Sequence, residues 1–389
     1  MWRTLLVLVP SIFGVIGANP LEELYKWNFV EYDFPDQQTR ELWIKSGRFQ
    51  PNNTLLLDAD YTSTDPHNRA FATTPSFGLG NPATLSTVIK TDANRVLLRP
   101  YPSWKENTRD DCRGLTSVLR IKLWVLDSGR LDILGKLIQK CPPKLRIYDL
   151  KTDMIIWQYY IPERSLVKRS LLGIVEVVGN CTHPFAYLAD LLGQGIVVVN
   201  TVREESWRVQ NNLTGNEEAA TNFNVNGQSF RLIGGTISLA ATKNTLYFHS
   251  LAGFKEHFVP LHILNNPDNF VESDNSYQYF HTSTGQRTGQ SGPTVIARES
   301  VMFFSNFPEN ALYCWRIGRP YVSQNLHLLF SDVKFQFAGG LKIIKDRNGE
   351  EWIIATTSRF QDYVKKIVNP HEINYRILRV KVDSLFFQC

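Results

Sequence analysis

Six short strands of this chain end in a small polar or acidic residue, and these residues are the first candidates for chemistry. Two of the six are acidic, and a carboxylate in a concave, partly desolvated site can pair with a cationic amine or act as a general base. The alternative interpretation is that both carboxylates cap turns, because Asp127-Ser128-Gly129 is common turn chemistry. The six candidate ligand-binding residues are Thr74, Asp127, Asp190, Ser250, Asn306 and Thr357.

These residues close an aromatic or apolar strand that recurs six times. The aromatic residues stand roughly 50–60 positions apart, which is the spacing of four-stranded propeller blades. Six blades form a closed ring that protects the edges of its sheets. The repeat therefore predicts an all-β, six-bladed β-propeller whose polar set lies at one mouth of a channel lined by the innermost strands. The recurring segments are 70–74, 123–127, 186–190, 246–250, 302–306 and 351–357.

The remaining pattern supports a single propeller domain over residues 19–389, closed by strands from both termini. Tyr25–Phe34 alternates like an edge strand and precedes the first repeat, so we expect it to pair with residues 370–385 and complete the last blade. Segments 145–150 and 154–159 predict an outer hairpin, and helical periodicity is noticeable only over 131–138.

The amino terminus indicates secretion. Residues 1–18 combine a basic start, an apolar run and a small-residue cleavage site, which is typical of a signal peptide. Three glycosylation sequons begin at Asn52, Asn180 and Asn212. We therefore expect an extracellular protein without a membrane-spanning segment.

Several kinds of site find no support. His257 and His262 lie on opposite faces of a strand and there is no CxxC, so no metal and no cofactor are expected. There is no nucleophile elbow and no phosphate-binding loop. The net charge is +5, and the basic residues within 140–151 and 164–169 are interpreted as solvated faces, with a polyanion site as the alternative. No nucleic-acid module is visible.

Several segments, taken in order, resemble the insect yellow / major royal jelly protein family. The resemblance implies a six-bladed propeller, in agreement with the repeat, and the carboxyl terminus resembles the yellow-g type of branch, which is associated with ovary and eggshell. The matching segments are 101–104, 123–129, 141–143, 187–190, 246–252, 314–315 and 374–377.

The resemblance also assigns the five cysteines. It implies one disulfide between Cys112 and Cys141 and another between Cys314 and Cys389. Cys181 is expected to be a free thiol, because the turn that carries its usual partner, just before Leu123, is missing.

The family also offers a precedent for ligand binding. Some members bind biogenic amines through a Thr and an Asn, but Gly339 and Ser358 occupy those places here, so high-affinity amine binding is not supported.

Three functions remain open. The first is a structural, matrix or maturation factor of eggshell or cuticle, with an extracellular matrix component or a related yellow-family protein as its partner. The second is an enzyme of melanin synthesis that converts dopachrome, with Asp127 or Asp190 moving the proton. The third is a binder of a small aromatic ligand. Fold-level resemblance alone does not choose between them.

Overall fold

The fold is a ring of six four-stranded antiparallel sheets, which confirms the all-β, six-bladed propeller. The computed structural model describes residues 20–62, 68–108, 111–121, 124–180, 182–271 and 278–389. The predicted signal peptide, Cys181 and the shortened turn at Lys122 and Leu123 lie outside these residues. No helix in the described ranges is long and apolar enough to cross a membrane.

The strands follow the chain from blade to blade. The amino-terminal strand is β1 (Glu22–Trp27), followed by β2 (Asp58–Tyr61), β3 (Ala70–Thr73), β4 (Leu85–Lys90) and β5 (Val96–Pro100) of blade 1. Blade 2 contains β6 (Val118–Ile121), β7 (Trp124–Asp127), β10 (Lys144–Asp149) and β11 (Met154–Tyr160), with a small ribbon of β8 (Arg130–Leu131) and β9 (Ile138–Gln139). Blade 3 contains β12 (Leu172–Val178), β13 (Phe185–Asp190), β14 (Gly195–Asn200) and β15 (Glu205–Val209).

The second half of the ring has the same plan. A hairpin of β16 (Asn222–Val225) and β17 (Gln228–Arg231) precedes blade 4, which contains β18 (Thr236–Ala241), β19 (Thr245–Ser250), β20 (His257–Pro260) and β21 (His281–Thr282). Blade 5 contains β22 (Thr294–Ala297), β23 (Val301–Asn306), β24 (Ala311–Arg316) and β25 (Leu326–Ser331). Blade 6 contains β26 (Ala338–Lys345), β27 (Glu351–Ser358) and β28 (Tyr375–Lys381). The helices are α1 (Gln37–Lys45), α2 (Leu261–Leu264), α3 (Phe360–Lys365) and α4 (Val382–Phe386).

The amino terminus closes the ring as expected. Strand β1 pairs antiparallel with β28, from Glu22 opposite Arg379 to Trp27 opposite Tyr375. The paired segment is shorter than the predicted Tyr25–Phe34 strand, because the chain then turns toward blade 1, where Tyr32 bridges Leu98. One blade thus contains strands from both ends of the chain, and the ring has no open seam.

The recurring aromatic strand is the second strand of each blade, counted from the axis. These strands therefore do not line the channel. Neighbouring blades cover a second strand on both faces, and this burial favours large aromatic and aliphatic side chains. The channel is lined instead by β2, β6, β12, β18, β22 and β26. We call the end of the ring where these inner strands begin the upper end, and the end where they finish the lower end.

Segment 131–138 is not helical, contrary to its periodicity. Strands β8 and β9 pair there as a short ribbon. Asp132 and Leu137 adopt positive φ angles of 52° and 51°, which a helix cannot include. The carboxylate of Asp132 accepts a hydrogen bond from the Lys136 amide at 2.8 Å, so the turn is stabilised by its own side chain.

Both expected disulfides are present. Cys112 is bonded to Cys141 across 29 positions, and Cys314 is bonded to Cys389 across 75 positions. The first connects two loops of the upper end, and the second attaches the carboxyl terminus to blade 5. Disulfides of this kind persist in oxidising compartments.

Candidate functional site

Asp127 is enclosed in the turns of blade 2. Its carboxylate accepts hydrogen bonds from the amides of Thr116, Ser117 and Gly129 at 2.8–2.9 Å. The ammonium group of Lys144 lies 3.2 Å from the same carboxylate, and both side chains are completely buried. Three amide donors and a buried cation satisfy the charge, and this is the turn-capping geometry that the sequence left open as the alternative.

Asp190 has an equivalent environment in blade 3. Its carboxylate accepts hydrogen bonds from the amides of Leu171 and Gly193 at 2.7 and 2.9 Å, and from the Ser170 hydroxyl at 2.6 Å. Arg208 forms an ion pair with it at 2.8 Å. Within the residues that the structure describes, Asp127 and Asp190 share no hydrogen-bond partner, so the structure does not join them in one site.

The other four predicted residues are also buried at the upper end. Their side chains bond to neighbouring loops: Thr74 to the Ala83 carbonyl at 2.8 Å, Asn306 to Thr288 at 2.7 Å, Thr357 to the Lys334 carbonyl at 2.8 Å, and Ser250 to the Gly215 carbonyl. None of the six residues lines the axial cavity described below. Their regular register comes from repeated turns, and a role in ligand binding stays a prediction.

The cavity lies at the opposite, lower end of the ring. It has a volume of about 480 Å³ and is lined by residues from all six inner strands. Strand β26 shows the direction in which it opens, because Ala338–Leu341 is buried and Lys345 is exposed. Most of its wall is aliphatic, and its charged lining residues are Asp60, Arg120, Glu176, Lys342 and Lys345.

Three charged residues meet where blades 1, 2 and 6 approach the axis. Asp58 is completely buried, and its carboxylate is ion-paired with Lys342 and lies 3.8 Å from a guanidinium nitrogen of Arg120. The Ile121 amide also donates to Asp58, at 3.1 Å. Burial lowers the pKa of Arg120 to about 10, yet the group stays cationic at neutral pH. Two cations, Arg120 and Lys342, therefore line the cavity, and both lie beside one buried anion, Asp58.

Gly340 is required for this approach. A β-carbon at that position would lie 2.4 Å from a carboxylate oxygen of Asp58. Sequence reasoning missed the cluster because its members come from three inner strands. A usable signal was Lys342, a charge placed between Leu341 and Ile343 in an otherwise aliphatic strand.

An aromatic stack covers the upper end of the channel. The ring of Phe337 is stacked between those of Phe307 and Phe360, with both centroids 4.3 Å away. Phe230, in the hairpin between blades 3 and 4, contacts Phe337 and Phe360 in blade 6. Blades 3 and 6 face each other across the ring, so these contacts span the axis. Gly339, one of the positions related to amine binding, lies directly beside this stack in the sequence.

His249 is completely buried in blade 4. Its ring nitrogens lie 2.9 Å from the Glu256 carboxylate and 2.9 Å from the Gly292 carbonyl. Arg287 forms an ion pair with Glu256 at 2.8 Å. Burial alone would raise the pKa of Glu256, but His249 and Arg287 hold it below its usual value. This cluster connects the loops of blades 4 and 5 and does not reach the axial cavity.

The fold and the cavity define a six-bladed propeller with a single-ended, charged axial pocket. The family profile described as "Major royal jelly protein" matches residues 119–388. The chain belongs to the yellow / major royal jelly protein family.

Two relatives span most of the chain. A protein named "Dopaminechrome tautomerase" from Drosophila melanogaster is 30% identical over 393 residues, covering 95% of this chain and 83% of the relative. "Protein yellow" of Drosophila erecta is 29% identical over 405 residues, covering 98% and 72%. Among solved structures, virginiamycin B lyase from Staphylococcus aureus is 9% identical with a TM-score of 0.39, covering 85% of this chain and 95% of the lyase.

Proposed function

We propose that the protein is a tautomerase that isomerises a small aminochrome, a cyclised o-quinone, in its axial cavity. The observation that carries this proposal is the pair of cations, Lys342 and Arg120, held at the wall of a cavity of about 480 Å³. Small-molecule sites typically measure about 300–1,000 Å³, so one bicyclic ring system fits. The relative named as a dopaminechrome tautomerase supports the same reaction class.

The reaction moves two protons from the saturated ring carbons to the two quinone oxygens and needs no cofactor. A base removes a proton from the saturated ring carbon next to the quinone system, and the electron pair of that C–H bond shifts toward a quinone oxygen. A proton then adds to that oxygen, which gives a quinone methide. Loss of a second proton from the neighbouring saturated carbon and protonation of the second quinone oxygen give the aromatic dihydroxyindole. Cations near the oxygen stabilise the charge that develops there, and this is the role of Lys342 and Arg120.

Glu176 is the base in this scheme. It lies on β12 of blade 3, directly across the ring from β26 of blade 6, and both Glu176 and Lys342 line the cavity. A flat ligand between the two blades therefore places its acidic C–H group beside the Glu176 carboxylate and its quinone oxygen beside the Lys342 ammonium group. Asp60 is the alternative base, because it lines the same cavity from blade 1.

Loss of the visible absorbance of dopaminechrome tests the proposal. Purified protein should accelerate it, Glu176→Gln should lower kcat/KM about 100-fold or more, and Lys342→Met should lower kcat. Lys151→Gln is the control, because this exposed lysine lies in the outer hairpin of blade 2 and does not line the cavity. Absence of any acceleration by well-folded protein contradicts the proposal, and binding without turnover would favour the aromatic-ligand binder.

We further propose that the protein is secreted and glycosylated and acts in eggshell or cuticle. The asparagines of the three sequons, Asn52, Asn180 and Asn212, are all exposed, and the two disulfides fit an oxidising compartment. A matrix or maturation role is the second candidate. Expression in follicle cells and not in epidermis would support the eggshell setting, and retention of matrix function by Glu176→Gln would separate that role from catalysis.

A further inference from the structure

Four exposed cations come together at the upper end of blades 2 and 3. Lys136 and Lys140 belong to the turn and end of the β8–β9 ribbon, and Lys168 and Arg169 belong to the loop that leads into β12. No carboxylate of the described chain lies within ion-pair distance of any of them. We call this set the basic face.

The buried side chain of Arg130 holds the two loops together. Its guanidinium donates to the Leu137 carbonyl at 2.9 Å, to the Lys168 carbonyl at 2.8 Å and to the Ser170 carbonyl at 2.6 Å. One planar group therefore fixes the backbone beside Lys136 and the backbone beside Arg169. The sequence separates these cations by about thirty positions, so only the fold makes them one surface.

The nearby acidic residues do not neutralise the face. The Asp132 carboxylate accepts the Lys136 amide at 2.8 Å within its own turn. Glu163 is exposed, but it lies at the start of the second loop, five residues before Lys168. The neighbouring basic segment, 140–151, is different, because its cations Lys144 and Arg146 are buried. This segment as a whole is therefore not the solvated face that its composition suggests.

Three aliphatic side chains on the same two loops are exposed. Leu134 is 43%, Ile138 41% and Val167 38% exposed. Isolated exposed aliphatic residues are ordinary, but these alternate with the cations in the β8–β9 ribbon and directly precede them in the second loop. A surface that combines fixed charge with apolar area is suited to a protein partner, because a polysaccharide or a free anion would leave the apolar area in water.

We propose that the basic face docks an acidic segment of a partner protein, in which carboxylates alternate with aliphatic residues. Charge complementarity supplies the recognition and the association rate. The face is rigid before binding. The Cys112–Cys141 disulfide lies next to Lys140 in the chain and fixes the end of the ribbon. The Lys144 ammonium donates to the carbonyls of Cys112 and Gly114 at 3.0 and 2.7 Å and holds the adjoining loop. Preorganisation lowers the entropy lost on association. The partner would leave the axial cavity accessible, because the cavity opens at the lower end.

Fluorescence anisotropy with a labelled peptide of alternating Glu and Leu tests the proposal. The parent protein should bind this peptide more tightly than a Glu–Ser peptide of equal charge, and binding should weaken steeply with added salt. Lys136→Glu, Lys168→Glu and Arg169→Glu together should lower the affinity at least tenfold. The matched control reverses three exposed cations elsewhere, Arg95→Glu, Lys243→Glu and Arg347→Glu, and should change the affinity less than threefold.

Four results would overturn the proposal: equal loss in the control variant, equal binding of the Glu–Ser peptide, preference for heparin, or preference for phosphatidylserine vesicles. If the triple variant does not fold, Leu134→Ser with Val167→Ser replaces it, and unchanged binding of the Glu–Leu peptide by that variant also refutes the proposal. Dopaminechrome turnover should be unchanged in every variant of this face, so its outcome is independent of the tautomerase assay.

Discussion

Asp127→Asn is expected to destabilise the propeller strongly, although the sequence placed this residue in a binding site. The Asp127 carboxylate and the Lys144 ammonium are 3.2 Å apart and are both completely buried. One carboxylate oxygen accepts the Thr116 amide, and the other accepts the amides of Ser117 and Gly129. Asparagine has a single acceptor oxygen, so its NH₂ group must face at least one of these donors.

The cost follows from the loss of a buried partner. Removing one member of a buried ion pair typically costs about 3–5 kcal/mol, because the other charge stays buried without compensation. We expect a loss of this size in the free energy of unfolding, measured by urea denaturation with both disulfides intact. Asp92→Asn is the matched control, since Asp92 is exposed in a turn, and it should change stability by less than about 0.5 kcal/mol.

A double-mutant cycle identifies the interaction. If the ion pair carries the effect, Asp127→Asn combined with Lys144→Met should cost clearly less than the sum of the two single variants. A change below about 1 kcal/mol for Asp127→Asn would refute this account, because it would show that the carboxylate is not needed by the turn. In that case the residue would again be a candidate for binding or proton transfer.

Two further predictions concern pH and the cysteines. Burial lowers the pKa of His257 to about 4, so between about pH 6.5 and pH 4 the unfolded chain binds a proton that the folded chain does not. Stability should therefore fall as the pH falls through this window, by up to about 1.4 kcal/mol per pH unit, and urea unfolding of His257→Gln should lack this contribution. For the cysteines, alkylation of the unreduced protein followed by mass spectrometry should label Cys181 alone, and a Cys112–Cys181 peptide would show that the pairing is different in solution.

The blade plan and the closure of the ring were predictable from the sequence. A strand covered by a neighbouring blade on each face must be aromatic or aliphatic, so the second strand repeats visibly at the spacing of a blade. The amino-terminal strand alternates as an edge strand does, and its pairing with β28 is confirmed. The two disulfides were also predictable, but through resemblance to a family and not through spacing.

The place of the candidate site depended on the tertiary structure. The sequence cannot distinguish a polar residue that faces a ligand from one that accepts hydrogen bonds from the amides of a turn. Asp127 and Asp190 accept hydrogen bonds from turn amides. The inner strands carry no strong repeat, because each contributes only a few residues to a shared channel. Asp58, Arg120 and Lys342 are separated by up to 284 positions, and only the closed ring brings their charges together out of water, where their electrostatic interaction is strong.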